Sequence, residues 1–146
     1  FLRAIARRPP GASDRFMADH PLLPPLPAEG LALAVAGGLP GDRIVCTTPG
    51  RGQAAWELAR TRPGARVAAW FLDLHQCDAA LVAHGDVPPS LAVACSADMP
   101  PGPFDLAVVP LSKSGEAELS RDVLQAALVN LAVGGRLVAV WVLGHR

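Results

Sequence analysis

The chain alternates short apolar runs with polar, glycine- and proline-marked breaks, and the spacing inside each run separates strands from helices. Arg43 to Cys46, Val67 to Leu72, Leu91 to Cys95, Phe104 to Val109 and Leu137 to Leu143 are too short for helices and apolar on both faces, as central parallel strands are. Glu29 to Gly38 reads as a short apolar helix stopped by Gly37, Gly38 and Pro40. Gln53 to Thr61 places Ala55, Leu58 and Ala59 at helical spacing and halts before Pro63 and Gly64. Gln76 to Ala83 suits a third helix. Glu116 to Leu131 suits a fourth, with Leu119, Val123, Leu124, Ala127, Leu128 and Leu131 on one stripe and Gly134-Gly135 as its stop.

Strands alternating with helices predict βαβ crossovers and an open, doubly wound α/β sheet of about five parallel strands, with helices on both faces. Residues 1–28 stand apart. Their arginines (Arg3, Arg7, Arg8) and prolines (Pro9, Pro10, Pro21, Pro24, Pro25, Pro27) forbid a long helix or central strand, so an irregular arm or linker is expected, with a short helix near Leu2 to Arg8. Residues 29–146 then form the folded domain. Because the chain opens on Phe1 and stops just after an apolar run, it reads as a piece of a longer protein.

Composition narrows the function classes. The chain has 146 residues, 51% hydrophobic, with 13 basic residues balancing 13 acidic ones. A core is affordable, whereas a field strong enough to gather nucleic acid or anionic lipid is not. No apolar run approaches the roughly 20 residues that span a bilayer, so a cytoplasmic protein without membrane contact is expected. Cys46, Cys77 and Cys95 lie far apart without CxxC or paired-histidine spacing, which argues against disulfides and metal and for buried thiols. Trp56 and Trp70 suit the core or a contact with a partner domain.

Candidate chemistry concentrates in the turn after the first strand, Thr48 to Ala55. Gly50 and Gly52 let the backbone turn sharply and approach a ligand, and the helix that follows offers free amides. Gly50-x-Gly52-x-x-Ala55 fits a relaxed dinucleotide pattern, and Asp73, 21 residues after Gly52, stands where an acid can bind ribose hydroxyls. Asp73 can equally cap a helix, and Asp98 can equally serve the turn before Met99-Pro100-Pro101. A phosphate-cradling GxxxxGK[ST] loop is missing, and hydrolase spacings are absent around Ser112 to Gly115. Ser114 suits a helix cap, and Lys113 is the single lysine.

The runs Arg43 to Gln53 (RIVCTTPGRGQ), Phe71 to His75 (FLDLH), Phe104 to Val109 (FDLAVV) and Leu131 to Val138 (LAVGGRLV) resemble motifs of class I S-adenosylmethionine-dependent methyltransferases, which are Rossmann-like. Gly115 to Gln125 (GEAELSRDVLQ) is similar to the ribosomal small-subunit RNA guanine-N2 methyltransferase type. The likeness spans about residues 41 to 142 and implies two methyltransferase-like domains in tandem, with this chain resembling the degenerate amino-terminal one. It implies a role in rRNA processing, with an RNA substrate and a catalytic methyltransferase domain in the same longer chain as partners. S-adenosylmethionine is the implied cofactor. Thr48, Gly50 and Gly52 would lie at its methionine portion, Asp73 at the ribose and Asp98 at the adenine.

The departures from the family pattern favour scaffolding over catalysis. Cys46 and Thr48 replace the strand-end acid and the first loop glycine. Val109-Pro110-Leu111-Ser112 stands where base-amine methyltransferases carry Asn-Pro-Pro-aromatic, so no catalytic residue is assigned, and the terminal antiparallel hairpin of complete family members is missing. Two alternatives stay open: a self-sufficient S-adenosylmethionine enzyme, and an NAD-binding oxidoreductase resting on GxGxxA alone.

Overall fold

The computed structural model describes residues 2–5, 23–111 and 117–142. In chain order they form β1 (Leu2–Ile5), α1 (Pro27–Ala36), β2 (Arg43–Thr47), α2 (Gln53–Thr61), β3 (Arg66–Phe71), α3 (Leu74–His84), β4 (Leu91–Ser96), β5 (Phe104–Leu111), α4 (Ala117–Val129) and β6 (Leu131–Trp141). One sheet runs β1-β4-β3-β2-β5-β6. Its five strands from β4 to β6 are mutually parallel, as expected, and strand order reverses between β2 and β5.

Two-residue periodicity divides the core. Ile44, Cys46, Val67, Ala69, Phe71, Leu106 and Val108 face a cluster with Ala32 and Ala36 of α1, Ala55, Trp56 and Leu58 of α2, and Cys77 and Ala80 of α3. Val45, Trp70, Ala107 and Val109 face the other side, where Val123 and Ala127 of α4 and Met99 cover them. The Arg62 guanidinium closes α1 by donating to the Ala36 and Leu39 carbonyls, which have no partner inside the helix.

Three expectations are corrected. Leu2–Ile5 is not helical: it pairs antiparallel with β4, Leu2 opposite Ser96 and Ile5 opposite Val93, because four residues ahead of the prolines suffice for an edge strand. Gly134 and Gly135 do not stop a helix. The helix ends at Val129, where the Asn130 side-chain amide donates to the Ala126 carbonyl at 2.8 Å. The glycines lie inside β6, which is longer than the Leu137 to Leu143 run expected, and they form a bulge there. Between Phe104↔Leu131 and Leu106↔Arg136, two steps on β5 face five on β6. On α4, Leu119 and Leu128 of the expected apolar stripe are exposed, while Val123 and Ala127 are buried. Lys113 and Ser114 lie outside the described residues.

The link from β4 to β5 follows from the registers. Leu91, Val67, Ile44 and Leu106 share one row, so Phe104 starts well below the level of Ser96 and three strands across. The diagonal is on the order of 25 Å, against an outstretched reach of about 28 Å for the eight steps. A helix rising 1.5 Å per residue would fall far short. The connection bends at Ala97 and Asp98, then crosses the sheet and lays Met99 on the Trp70 side of the core.

Candidate functional site

The carboxyl ends of β2, β3 and β5 meet where strand order reverses, the position at which open α/β sheets place ligands. A cavity of about 300 Å³ opens there, between the loop after β2, the start of α3 and the buried flank of α4. Its polar lining comes from Thr47, Thr48, Asp73, Gln76 and Ser120, and its apolar lining includes Trp70, Leu72, Pro110 and Leu111.

Thr48 and Asp73, expected from the sequence, come together at this cavity. The Thr48 hydroxyl donates to the Trp70 carbonyl at 2.7 Å, which ties the β2 loop to the end of β3. Asp73 caps α3: its Oδ1 accepts the amides of His75 (2.8 Å) and Gln76 (3.4 Å), and Oδ2 takes part in neither bond. The two readings of Asp73 are thus compatible, since one oxygen serves the helix while the residue also lines the cavity. The indole of Trp70, held by its Nε1–H donating to the Ser96 carbonyl at 3.0 Å, forms part of the wall.

The glycines and Asp98 serve differently. Gly52 caps α2 with φ +71°, a left-handed conformation natural to glycine, and a Cβ there would lie 2.8 Å from Trp56 Cζ3 and 3.1 Å from Phe71 Cζ. At Gly50 a Cβ would meet Leu26 Cδ1 at 2.9 Å. Both glycines therefore admit the chain's own side chains, and neither lines the cavity. Asp98 does not line it either; its carbonyl accepts the Ser96 hydroxyl at 2.6 Å on the β4–β5 connection.

Two loop-holding residues escaped sequence reasoning. Glu29, from α1, is fully buried and presents Oε2 to the Ala54 amide (2.9 Å) and Oε1 to the Leu26 amide (3.1 Å). The only local signal is an acid three residues into a helix start, half of a capping box. His84, at the end of α3, stacks on Trp56 with ring centroids 4.1 Å apart and donates Nε2–H to the Arg51 carbonyl at 2.7 Å. A carbonyl can only accept, which fixes the donor.

Burial pushes the Glu29 carboxyl up from its ordinary value, against its two backbone hydrogen bonds. A folded-state pKa above the unfolded one means that its stabilising share is full below the unfolded value of about 4.5 and is lost as pH rises through the folded value. Relative to Glu29→Gln, the wild type is expected to lose stability between pH 4.5 and 7.5. Urea melts of both proteins at the two pH values check this, and a wild type gaining on the variant would contradict it. Burial, helped by the Glu29 charge, also drives the Cys46 thiol far upward, so it is inert as a nucleophile. Cys77 and Cys95 are also buried.

Among the described residues no group of three His, Cys, Asp or Glu side chains is placed to hold a metal, and no helix is long and apolar enough to cross a membrane.

No family model matches the chain, and no curated protein does. Solved structures sharing its fold include TrmN from Thermus thermophilus (27% identity, TM-score 0.55, 76% of this chain and 36% of that one). A TehB-like SAM-dependent methyltransferase from Corynebacterium glutamicum matches at 24% identity and TM-score 0.53, over 79% and 65%. Cofactor-bound Rv0187 from MTB matches at 20% and TM-score 0.59, over 84% and 59%. The chain thus spans between about a third and two thirds of these proteins. Its fold is the Rossmann-like fold of S-adenosylmethionine-dependent methyltransferases.

Proposed function

We propose that this chain is a methyltransferase-type domain whose cavity receives the nucleoside portion of S-adenosylmethionine and which orients substrate for a catalytic domain located elsewhere. One observation carries the reading: Thr48 and Asp73 meet at an apolar-walled cavity at the strand-order reversal, with the Asp73 Oδ2 unused by the α3 cap. When bound, the cofactor supplies an electrophilic methyl group. The residues here bind and orient: Asp73 accepts from ribose hydroxyls, Thr47 and Gln76 add polar contacts, and Trp70, Leu72 and Leu111 shed water from an apolar ring.

The same cavity supports assigning catalysis to another domain. Val109, Pro110 and Leu111 bring hydrocarbon to the end of β5, so this strand end offers no side-chain acceptor to hold a base amine in attack geometry. The resemblance of the Gly115 to Gln125 run makes an RNA guanine amino group the proposed substrate of the partner domain. RNA affinity then comes mainly from that partner, since the net charge here is zero.

Calorimetric titration with S-adenosylmethionine tests the proposal. Saturable binding is expected, with Kd between about 10 μM and 1 mM. Asp73→Ser, which keeps a helix cap but removes the carboxylate, should weaken it about tenfold or more. Flat heats from folded wild-type protein would sink the proposal. Methyl transfer to RNA by this chain alone would overturn the orienting role.

A further inference from the structure

We propose that the amino ends of β2, β3 and β4 form a docking groove for an acidic peptide segment of a partner protein, held by Arg43 and Arg66. The groove opens at the end of the sheet opposite the candidate site, so the inference stands independently of the nucleoside reading.

The two arginines begin β2 and β3 and are register partners, with Cα atoms about 4.8 Å apart. Alternation along each strand places both on the side that Val45 and Trp70 face. Like charges directly opposite each other repel, so the pair weakens the sheet it belongs to. Nothing in the fold offsets this. Both residues are exposed, and among the described residues neither guanidinium has a hydrogen bond or an ion pair. The adjacent Asp105 instead turns its Oδ2 to the backbone amides of Asp42 and Arg43, at 3.2 and 3.0 Å.

Both arginines line a groove of about 740 Å³ whose described lining contains no Asp or Glu. The groove exists because no helix lies between β4 and β5: near the strand starts, Ala68 is left half-buried and Ala92 exposed. Pro63 and Pro89, from the loops ahead of β3 and β4, complete an uncharged apolar surround. Two positive charges without a counter-charge beside such a surface match a partner that brings carboxylates and small alkyl groups together.

A peptide fits better than nucleic acid. Single strands are held on exposed aromatic platforms beside a run of cations, whereas the one aromatic ring of the described lining, Phe104, is 6% exposed. Glutamates two positions apart on an extended peptide lie about 7 Å apart on one side, a spacing that two neighbouring arginine side chains can straddle.

Amide NMR titration of the full chain with the blocked peptide EAEAEA tests the assignment. Saturable shifts are expected at residues 64–68 and 90–93, with the Asp73 amide unmoved. The neutral peptide QAQAQA should bind at least about tenfold more weakly. Arg43→Gln or Arg66→Gln alone should weaken EAEAEA about threefold, and the two together about tenfold. The double Gln variant should be at least as stable to urea as the wild type, because the repulsion is gone. Arg43→Lys/Arg66→Lys, which keeps the charge and loses the fork, should fall between the wild type and the double Gln variant. Flat titrations of folded wild type would overturn the proposal. So would EAEAEA affinity that the double Gln variant leaves unchanged or that QAQAQA equals. A uridine decamer binding more tightly at the same amides would assign the groove to nucleic acid and equally overturn it. None of these results bears on the cavity at the carboxyl ends of the strands.

Discussion

Gly52→Val should cost about 3 kcal/mol of folding stability, enough to consume a large part of the 5–15 kcal/mol typical of a single domain. Two causes add. A β-branched residue is forced into the left-handed region at φ +71°, and its Cβ is driven to 2.8 Å from the Trp56 ring and 3.1 Å from Phe71. Neither ring can retreat, since Trp56 and Phe71 are both almost fully buried. Chemical denaturation of wild type, Gly52→Ala and Gly52→Val measures the effect. The alanine variant should fall between the other two, and a valine variant as stable as wild type would contradict the packing described.

Trp56→Ala should be at least as damaging, at about 4 kcal/mol. The indole fills the space between α2 and the sheet, donates Nε1–H to the Asp86 carbonyl at 2.8 Å and stacks on His84, which in turn holds the Arg51 carbonyl. Its removal leaves a cavity and unseats the loop at once. The two predictions are coupled, because deleting the indole empties the space that a residue 52 side chain would invade. In the double variant Gly52→Ala/Trp56→Ala, the loss should therefore be smaller than the sum of the single losses. Additive losses would show that the Cβ clash with the indole is not what makes residue 52 glycine.

How legible the molecule is from its residues depends on how local each cause is. The Gln53–Thr61 helix and the five parallel strands follow from apolar periodicity and nearby breakers, whereas the order of the strands comes only from their pairing. Gly134 and Gly135 mislead because a glycine pair ends a helix and makes a bulge equally well. What decides is the pairing of Phe104 and Leu106 with residues some 30 positions away. Leu2–Ile5 is a strand because β4 offers an open edge, which nothing near Leu2 announces.

The site divides in the same way. Asp73 is readable because it follows a strand at a fixed distance from the loop. Glu29 acts across 25 positions, and its apolar neighbours give no hint that its carboxylate reaches Ala54. Gly50 and Gly52 invite a reading of ligand approach, yet Leu26, Trp56 and Phe71 are what press against them. A glycine signals proximity without saying to what.

The seven-residue link between Ser96 and Phe104, which crosses three strands of the sheet, sets an asymmetric tolerance to length change. Extra residues there can billow away from the sheet, so a fusion partner or an affinity label inserted beside Pro100 leaves the strands in register. Removing even one or two residues instead drags the end of β4 toward the start of β5. For anyone redesigning this domain, the crossing is a place to add and not to trim.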